Sequence, residues 1–190
     1  MAELPDEELC SRVAARDNSA FEVLVERYQA RAYRLAYSML GSEADARDVS
    51  QDAFVKLFES AAKFGGRSRF STWFYRIVVN SCIDRKRRER WWSKIVPLRG
   101  SLPEADEPGV EPVSSEPGPE VEVMRRQTAT QLAAAFVQLS PNQRAAVLLQ
   151  VQDGLSSREI AHVLNCSENT ARVHIHRGLT ALKKLLKRDA

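Results

Sequence analysis

Six of the chain's eight prolines, Pro97, Pro103, Pro108, Pro112, Pro117 and Pro119, fall between residues 97 and 123, with three of its eight glycines. Proline has no amide hydrogen and clashes with the preceding helical turn, so neither a helix nor a central strand runs through such a stretch. The same stretch carries seven acidic groups against one basic. With few large apolar side chains, it cannot bury enough surface to offset the entropy of ordering. The expectation is a flexible acidic linker at 97–123 between a first domain at 1–96 and a second at 124–190.

Both flanking parts read as helical, because apolar residues recur at three- and four-residue steps and hairpin signals are missing. Phe21, Leu24, Val25, Tyr28, Ala32, Leu35, Ala36 and Met39 form one stripe, closed by Gly41. Two helices are expected to begin at Pro5 and Ala20, and Ser42 to cap a third whose buried side is Val49, Ala53, Leu57 and Ala61, flanked by Phe54 and Phe58. Beyond Gly65-Gly66, Ser71 is expected to cap a fourth helix running to about Lys94 and burying Phe74, Ile77, Val78 and Cys82. The fold class is therefore all-α: two small helical domains on a tether.

Charge is distributed in blocks. Residues 1–62 carry net −5, 63–96 net +8, 97–123 net −6 and 124–190 net +6, within an overall +3. Two positive blocks around an acidic one suggest two contacts with a polyanion. Cys10, Cys82 and Cys166 are far apart and share no metal-ligand or redox spacing, so they read as small core residues. No run approaches the roughly 18 apolar residues that span a bilayer, and the opening MAELPDEELC is acidic where a secretory signal is basic. A cytoplasmic protein without membrane contact, metal or cofactor is expected.

The most specific pattern lies in the second domain. Pro141 sits in the first turn of one helix, Gly154 follows it, Ser156-x-x-Glu159 caps a second, and Ser167 caps a longer last one. Asn165-Cys166-Ser167 is a turn of the length used in a helix-turn-helix. On the last helix, at about 100° per residue, Ala171, Ile175, Leu179, Leu182 and Leu186 share one face. Asn169, Arg172, Val173, His176, Arg177 and Thr180 lie around the other. A guanidinium can donate two bonds to guanine O6 and N7, and an aliphatic group can touch a thymine methyl, so this outer face suits a DNA major groove.

These residues also carry a resemblance. LSSREIAHVLNCSENTARVHIHRG (Leu155 to Gly178) resembles sigma region 4, which reads the promoter element near minus thirty-five. AFEVLVERY (Ala20 to Tyr28), DARDVSQDAFVKLF (Asp45 to Phe58) and RFSTWFYRIVVNSCIDRKRR (Arg69 to Arg88) resemble sigma region 2. Two such regions joined only by a linker are similar to the extracytoplasmic-function (ECF) group of RNA polymerase sigma factors.

The resemblance implies a non-enzymatic initiation factor with core RNA polymerase and promoter DNA, duplex and single-stranded, as partners. It implies that Asp45, Asp48, Gln51, Asp52 and Phe54 meet the clamp helices of the largest polymerase subunit, and that the second domain meets the flap. It further implies that the segment after the glycines melts the minus-ten element. There Phe64, Phe70, Trp73, Phe74 and Tyr75 interleave with Arg67, Arg69 and Arg76, a mixture suited to stacking on single-stranded bases and attracting phosphate. Asn80 matches the position that contacts an extruded base, and an amide can read a Watson-Crick edge. Arg85, Lys86, Arg87 and Arg88 are assigned to upstream duplex phosphate, with Asp84 pairing inside that cluster. Members are commonly restrained by an anti-sigma factor. For the linker, Glu104, Asp106, Glu107, Glu111 and Glu116 either imitate nucleic-acid charge in the polymerase channel or merely solubilise a tether.

Two other classes compete. A stand-alone helix-turn-helix regulator would dimerise on paired half-sites, and the chain shows no recognisable receiver or ligand domain. A nuclease or recombinase would need a nucleophile or clustered carboxylates for metal, and Asp45, Asp48 and Asp52 form the sole candidate set, without an accompanying His or Lys.

Overall fold

The structure, a computed structural model, describes residues 4–95, 131–132 and 134–188. The expected linker, with its acidic residues, lies outside the described residues. The elements are α1 (Asp6–Ala14), α2 (Asn18–Leu40), α3 (Glu43–Ser60), a 3-10 turn (Ala61–Lys63), α4 (Phe70–Ile95), α5 (Pro141–Val151), α6 (Ser157–Leu164) and α7 (Glu168–Arg188). Every regular element among the described residues is helical. None of these helices is long and apolar enough to cross a membrane.

Local chemistry sets most boundaries. α2 begins earlier than apolar spacing suggests, because Asp17 caps it by accepting from the amides of Ser19 and Ala20. The Ser19 hydroxyl and the Arg12 guanidinium, with the Ala20 amide, donate to the Asp17 carboxylate and hold it well below the usual carboxylate range. Gly41 ends α2 at a φ of 76°, a left-handed conformation that costs glycine little. Ser42 then accepts from the Asp45 amide and starts α3.

The start of α4 differs from expectation. Ser71 lies inside the helix, and the cap arrives from a distant element: the Phe70 amide donates to Glu7 Oε1 of α1 at 3.0 Å. A carboxylate at a helix N-terminus satisfies an orphan donor and opposes the helix dipole.

In the first domain, α1 to α4 enclose Leu24, Leu35, Leu57, Phe70, Phe74 and Val78, all fully buried. Tyr28 stands edge-on to Phe70, Phe74 and Tyr75, with centroids 5.2, 5.5 and 6.4 Å away. Its hydroxyl donates to Asp6, which also receives Arg27, so the polar tip of a buried ring is satisfied. Cys10 and Cys82 are buried, and burial pushes their thiols up to about 11 and about 12. Cys166 is only partly covered.

The second domain is held by two capping boxes, Ser140 with Gln143 and Ser156 with Glu159. Asn165 makes the left-handed turn at φ 52° that lets α7 cross α6. The inner face of α7 departs from the expected stripe. Ala171, Ile175 and Leu182 are buried, but Leu179 is 42% exposed and Leu186 36%. Gly178 takes the contact instead: a methyl there would come within 2.6 Å of Val147 Cγ2 and 3.2 Å of the Gln143 carbonyl. Backbone approach of α7 to α5 rotates Leu179 outward.

The two domains, expected as loosely tethered bodies, are docked. One buried apolar cluster runs from Leu24 and Val79 to Leu149 and Ile160. Polar bonds join its rim. Tyr75 donates its hydroxyl to Asp153 at 2.7 Å, Arg144 Nη1 donates to the Met39 carbonyl at 2.6 Å, and Gln152 donates to Ser38 at 3.2 Å. Arg69 stands 3.6 Å from Glu159. α6, the first helix of the helix-turn-helix, therefore lies between α4 and α7.

Candidate nucleic-acid and polymerase faces

Three exposed faces emerge. The first is on α3, where Asp48, Gln51 and Asp52 are exposed at helical spacing. Val55 continues that row and is 56% exposed, an apolar contact missed by reading only the charges. Its position seven residues after Asp48 was the available signal. Two residues grouped with this face turn elsewhere. Asp45 pairs with Arg85 of α4. Phe54 is 9% exposed, with its ring 5.0 Å from Phe74 and 6.4 Å from Phe21, because that side of α3 closes the core.

The second face is on α4 and the segment before it. Arg67, Arg69, Arg76 and Asn80 are exposed, and Asn80 lies one turn beyond Arg76. Phe64 and Trp73 are half-buried, 5.3 Å apart, and form the apolar floor beside these cations. Phe70, Phe74 and Tyr75 are buried in the core or against the second domain, so none presents a ring to a base in this arrangement. Further along α4 the basic run divides. Arg85 braces α3 through Asp45 and stands 3.8 Å from Glu89. Lys86 turns toward the second domain. Arg87 and Arg88 are exposed, with Asp84 2.9 Å from Arg87. A four-residue run cannot share one face of a helix, since each step rotates about 100°.

The third face is the outer side of α7. Asn169, Arg172, Val173, His176 and Arg177 are all exposed. Arg172 is held by Glu168 at 2.6 Å, one turn before it, an exposed pair that orients the guanidinium more than it stabilises the fold. Val173 is 38% exposed between the two arginines, giving the face an aliphatic spot. The hydroxyl of Ser167 accepts from the Thr170 amide at 3.1 Å and fixes the N-terminal turn of α7, the end a recognition helix presents to base edges.

A helix-turn-helix with a basic outer helix, joined to a helical body with one acidic and one basic-aromatic face, defines a DNA-directing protein that works by binding. The family models agree with that class: sigma-70 region 2 matches residues 24–92, and sigma-70 region 4 matches 129–182. The ECF RNA polymerase sigma factor SigW of Bacillus subtilis is 31% identical over 183 residues, 93% of this chain and 94% of that one. Among solved structures, CnrH in complex with the cytosolic domain of CnrY superposes with a TM-score of 0.68 at 25% identity, covering 97% and 99% of the two chains. The sigma factor RpoE of Bartonella quintana, in complex with the anti-sigma factor NepR, shares the fold with a TM-score of 0.66 at 21% identity, covering 90% and 98%.

The chain belongs to the ECF sigma factors of the sigma-70 family. It is an alternative sigma factor that directs RNA polymerase to promoters, and it performs no covalent chemistry itself. Likeness along both modules disfavours a stand-alone regulator that shares only the helix-turn-helix.

Proposed function

We propose that the three faces divide the work of initiation. Asp48, Gln51, Asp52 and Val55 dock α3 on the clamp helices of the largest polymerase subunit, with the second domain on the flap. Arg172, Val173, His176, Arg177 and Asn169 read the minus-thirty-five element. Arg67, Arg76, Trp73 and Asn80 hold the unstacked minus-ten strand, and Arg87 and Arg88 take upstream phosphate. Phe70 and Phe54 serve the core, and Asp45 with Arg85 locks α3 to α4. Extruding a base costs a few kcal/mol, and stacking returns about 1–3 kcal/mol per base, so binding energy alone drives melting. The protein acts in the cytoplasm, where polymerase and promoter meet.

The observation that carries this reading is the separation of the faces: Asn80 with Arg76 on α4, and Arg172 with Arg177 on α7, are exposed on different helices of different domains. The docked arrangement cannot use both at once. α4 and α7 each pack on α6, which brings their axes to within about 20 Å of each other where they contact it, given about 8–10 Å per helix contact. Roughly 25 base pairs lie between elements at minus thirty-five and minus ten, about 85 Å of duplex at 3.4 Å per step. The domains therefore separate when polymerase and promoter are engaged, and the docked form is the resting one. An anti-sigma factor is a fitting partner, since it would gain by holding the domains in a fixed arrangement; the Bartonella relative was solved in complex with its anti-sigma factor NepR.

The test is transcription in vitro with purified core enzyme. Asn80→Ala leaves core binding intact and lowers open-complex formation, read by permanganate reactivity of minus-ten thymines. Arg172→Ala with Arg177→Ala weakens protection of the upstream element. If both variants protect, melt and transcribe like the unaltered chain, these assignments are wrong.

A further inference from the structure

The side of α4 that meets the second domain adjoins the side assigned above to the single strand, and the second domain meets it through acids. Arg69 stands 3.6 Å from Glu159 Oε1 of α6, and Tyr75 donates its hydroxyl to Asp153 at 2.7 Å. Arg31 of α2 acts on the same hydroxyl. The other oxygen of Glu159, Oε2, accepts from the Ser156 amide and hydroxyl. Those bonds hold the carboxyl below its usual value, so it stays ionised and turns Oε1 toward Arg69. On a helix that turns about 100° per residue, Thr72 of the seam and Arg76 of the open face lie only about 40° apart. A strand following Arg69 and Arg76 along α4 therefore runs against α6.

Thr72 supplies a second, independent sign. Its hydroxyl is buried and has no hydrogen-bond partner. By helical spacing Thr72 shares the side of α4 on which Tyr75 and Val79 are also buried. A seam closed over an unmet hydroxyl gives up a bond that water or a phosphate oxygen restores when it opens. Arg69, with its side chain 79% exposed, makes a weak pair with Glu159, so a polyanion can take the guanidinium. This end of the seam is held by contacts that nucleic acid can replace.

We infer that the helix-turn-helix is an internal competitor of the minus-ten single strand: beside Arg69 and Tyr75, Glu159 and Asp153 stand where the strand's phosphates would lie, and capture of the strand expels the second domain. The inference rests on the proposed assignment of α4 to the single strand. Strand binding and domain docking then oppose each other by the same factor in either direction. A chain without single-stranded DNA stays closed, and one that has captured it is held open.

The test is fluorescence anisotropy of the full chain with a labelled oligothymidine of about ten nucleotides, a length that one single-strand groove covers. Asp153→Asn with Glu159→Gln keeps both acceptors and removes both charges; the box of Ser140 with Gln143 shows that an amide caps a helix in this domain. This double variant should bind the strand about fivefold tighter than the unaltered chain, the low end for coupling between two sites. Glu22→Gln with Glu26→Gln, which removes the same charge from the exposed side of α2, should not. In the unaltered chain, saturating strand should speed alkylation of Cys82, buried at the interdomain cleft, and leave Cys10 unchanged. If the double variant loses its helical circular dichroism, the labelling of Cys82 decides alone. A strand that binds and loses affinity in Asn80→Ala, yet leaves Cys82 protected, overturns the competition while the α4 assignment stands. Equal tightening in the Glu22 and Glu26 variant reduces the effect to net charge and also overturns it. A strand that binds none of the variants overturns the competition and the α4 assignment together.

Discussion

Replacing Tyr75 with Phe isolates the bond that latches the domains. The ring is 2% exposed and its hydroxyl donates to Asp153 across the interface. Burial, and then that bond, push the Tyr75 hydroxyl well above its usual value, so it remains a donor at any working pH. Phe keeps the ring packed beside Tyr28 and removes only the bond. Hydrogen bonds to charged acceptors contribute about 1.5–3 kcal/mol, and Asp153 is only half-buried, which favours the low end. The ratio of docked to separated chains should fall about tenfold, or ~1.4 kcal/mol. Cys82 reports this directly, because it is fully buried, lines the interdomain cleft and reacts only when exposed. Pulsed alkylation of Cys82 should accelerate about tenfold in Tyr75→Phe, a figure set by the same bond energy. Cys10, sealed inside the first domain, should label at an unchanged rate. Equal labelling of Cys82 in both proteins, with both folded, would show that the Tyr75 bond does not latch the domains.

Other perturbations follow from single contacts. Gly178→Ala drives a methyl to 2.6 Å from the stiff side chain of Val147; overpacking outweighs the gain in helix propensity, and thermal melting should show a net loss of about 1–2 kcal/mol. Val55→Asp adds charge to an already acidic exposed face and should weaken polymerase binding in competition assays while leaving melting unchanged, because the side chain is outside the core. Glu159 is held below its usual value by the Ser156 amide and hydroxyl, with Arg69 nearby. A depressed carboxyl stabilises the fold above its unfolded value near pH about 4.3, and that contribution disappears as pH falls through the lower folded value. Glu159→Gln should therefore melt lower at neutral pH and converge with the unaltered chain in acid.

The helical class, the capping serines and the outer face of α7 were legible because each depends on local spacing. Ser42, Ser156 and Gly41 act within a few residues of their own position, and the basic row on α7 is a property of one helix. What sequence could not give was contact between elements. Ser71 looked like a cap because Glu7, sixty-three residues away, was invisible as one. Leu179 looked buried because the close approach permitted by Gly178 depends on Val147 of another helix. Arg85 and Arg88 look alike in the chain, yet one meets Asp45 and the other solvent. Phe70 and Trp73 are both aromatics near arginines, and only packing assigns the first wholly to the interior. The docking of the domains left its clearest trace in Arg144, a charged residue that directly precedes the apolar run Ala145 to Leu149.

The tie from Glu7 to the start of α4 bears on how this protein can be recombined. Anyone grafting α4 into another factor, or trimming the front of the chain to improve expression, would remove the acceptor that fixes where that helix begins. The transplantable unit starts at α1, so a chimera joined at α2 should express a helix frayed at the end proposed above to grip single-stranded DNA.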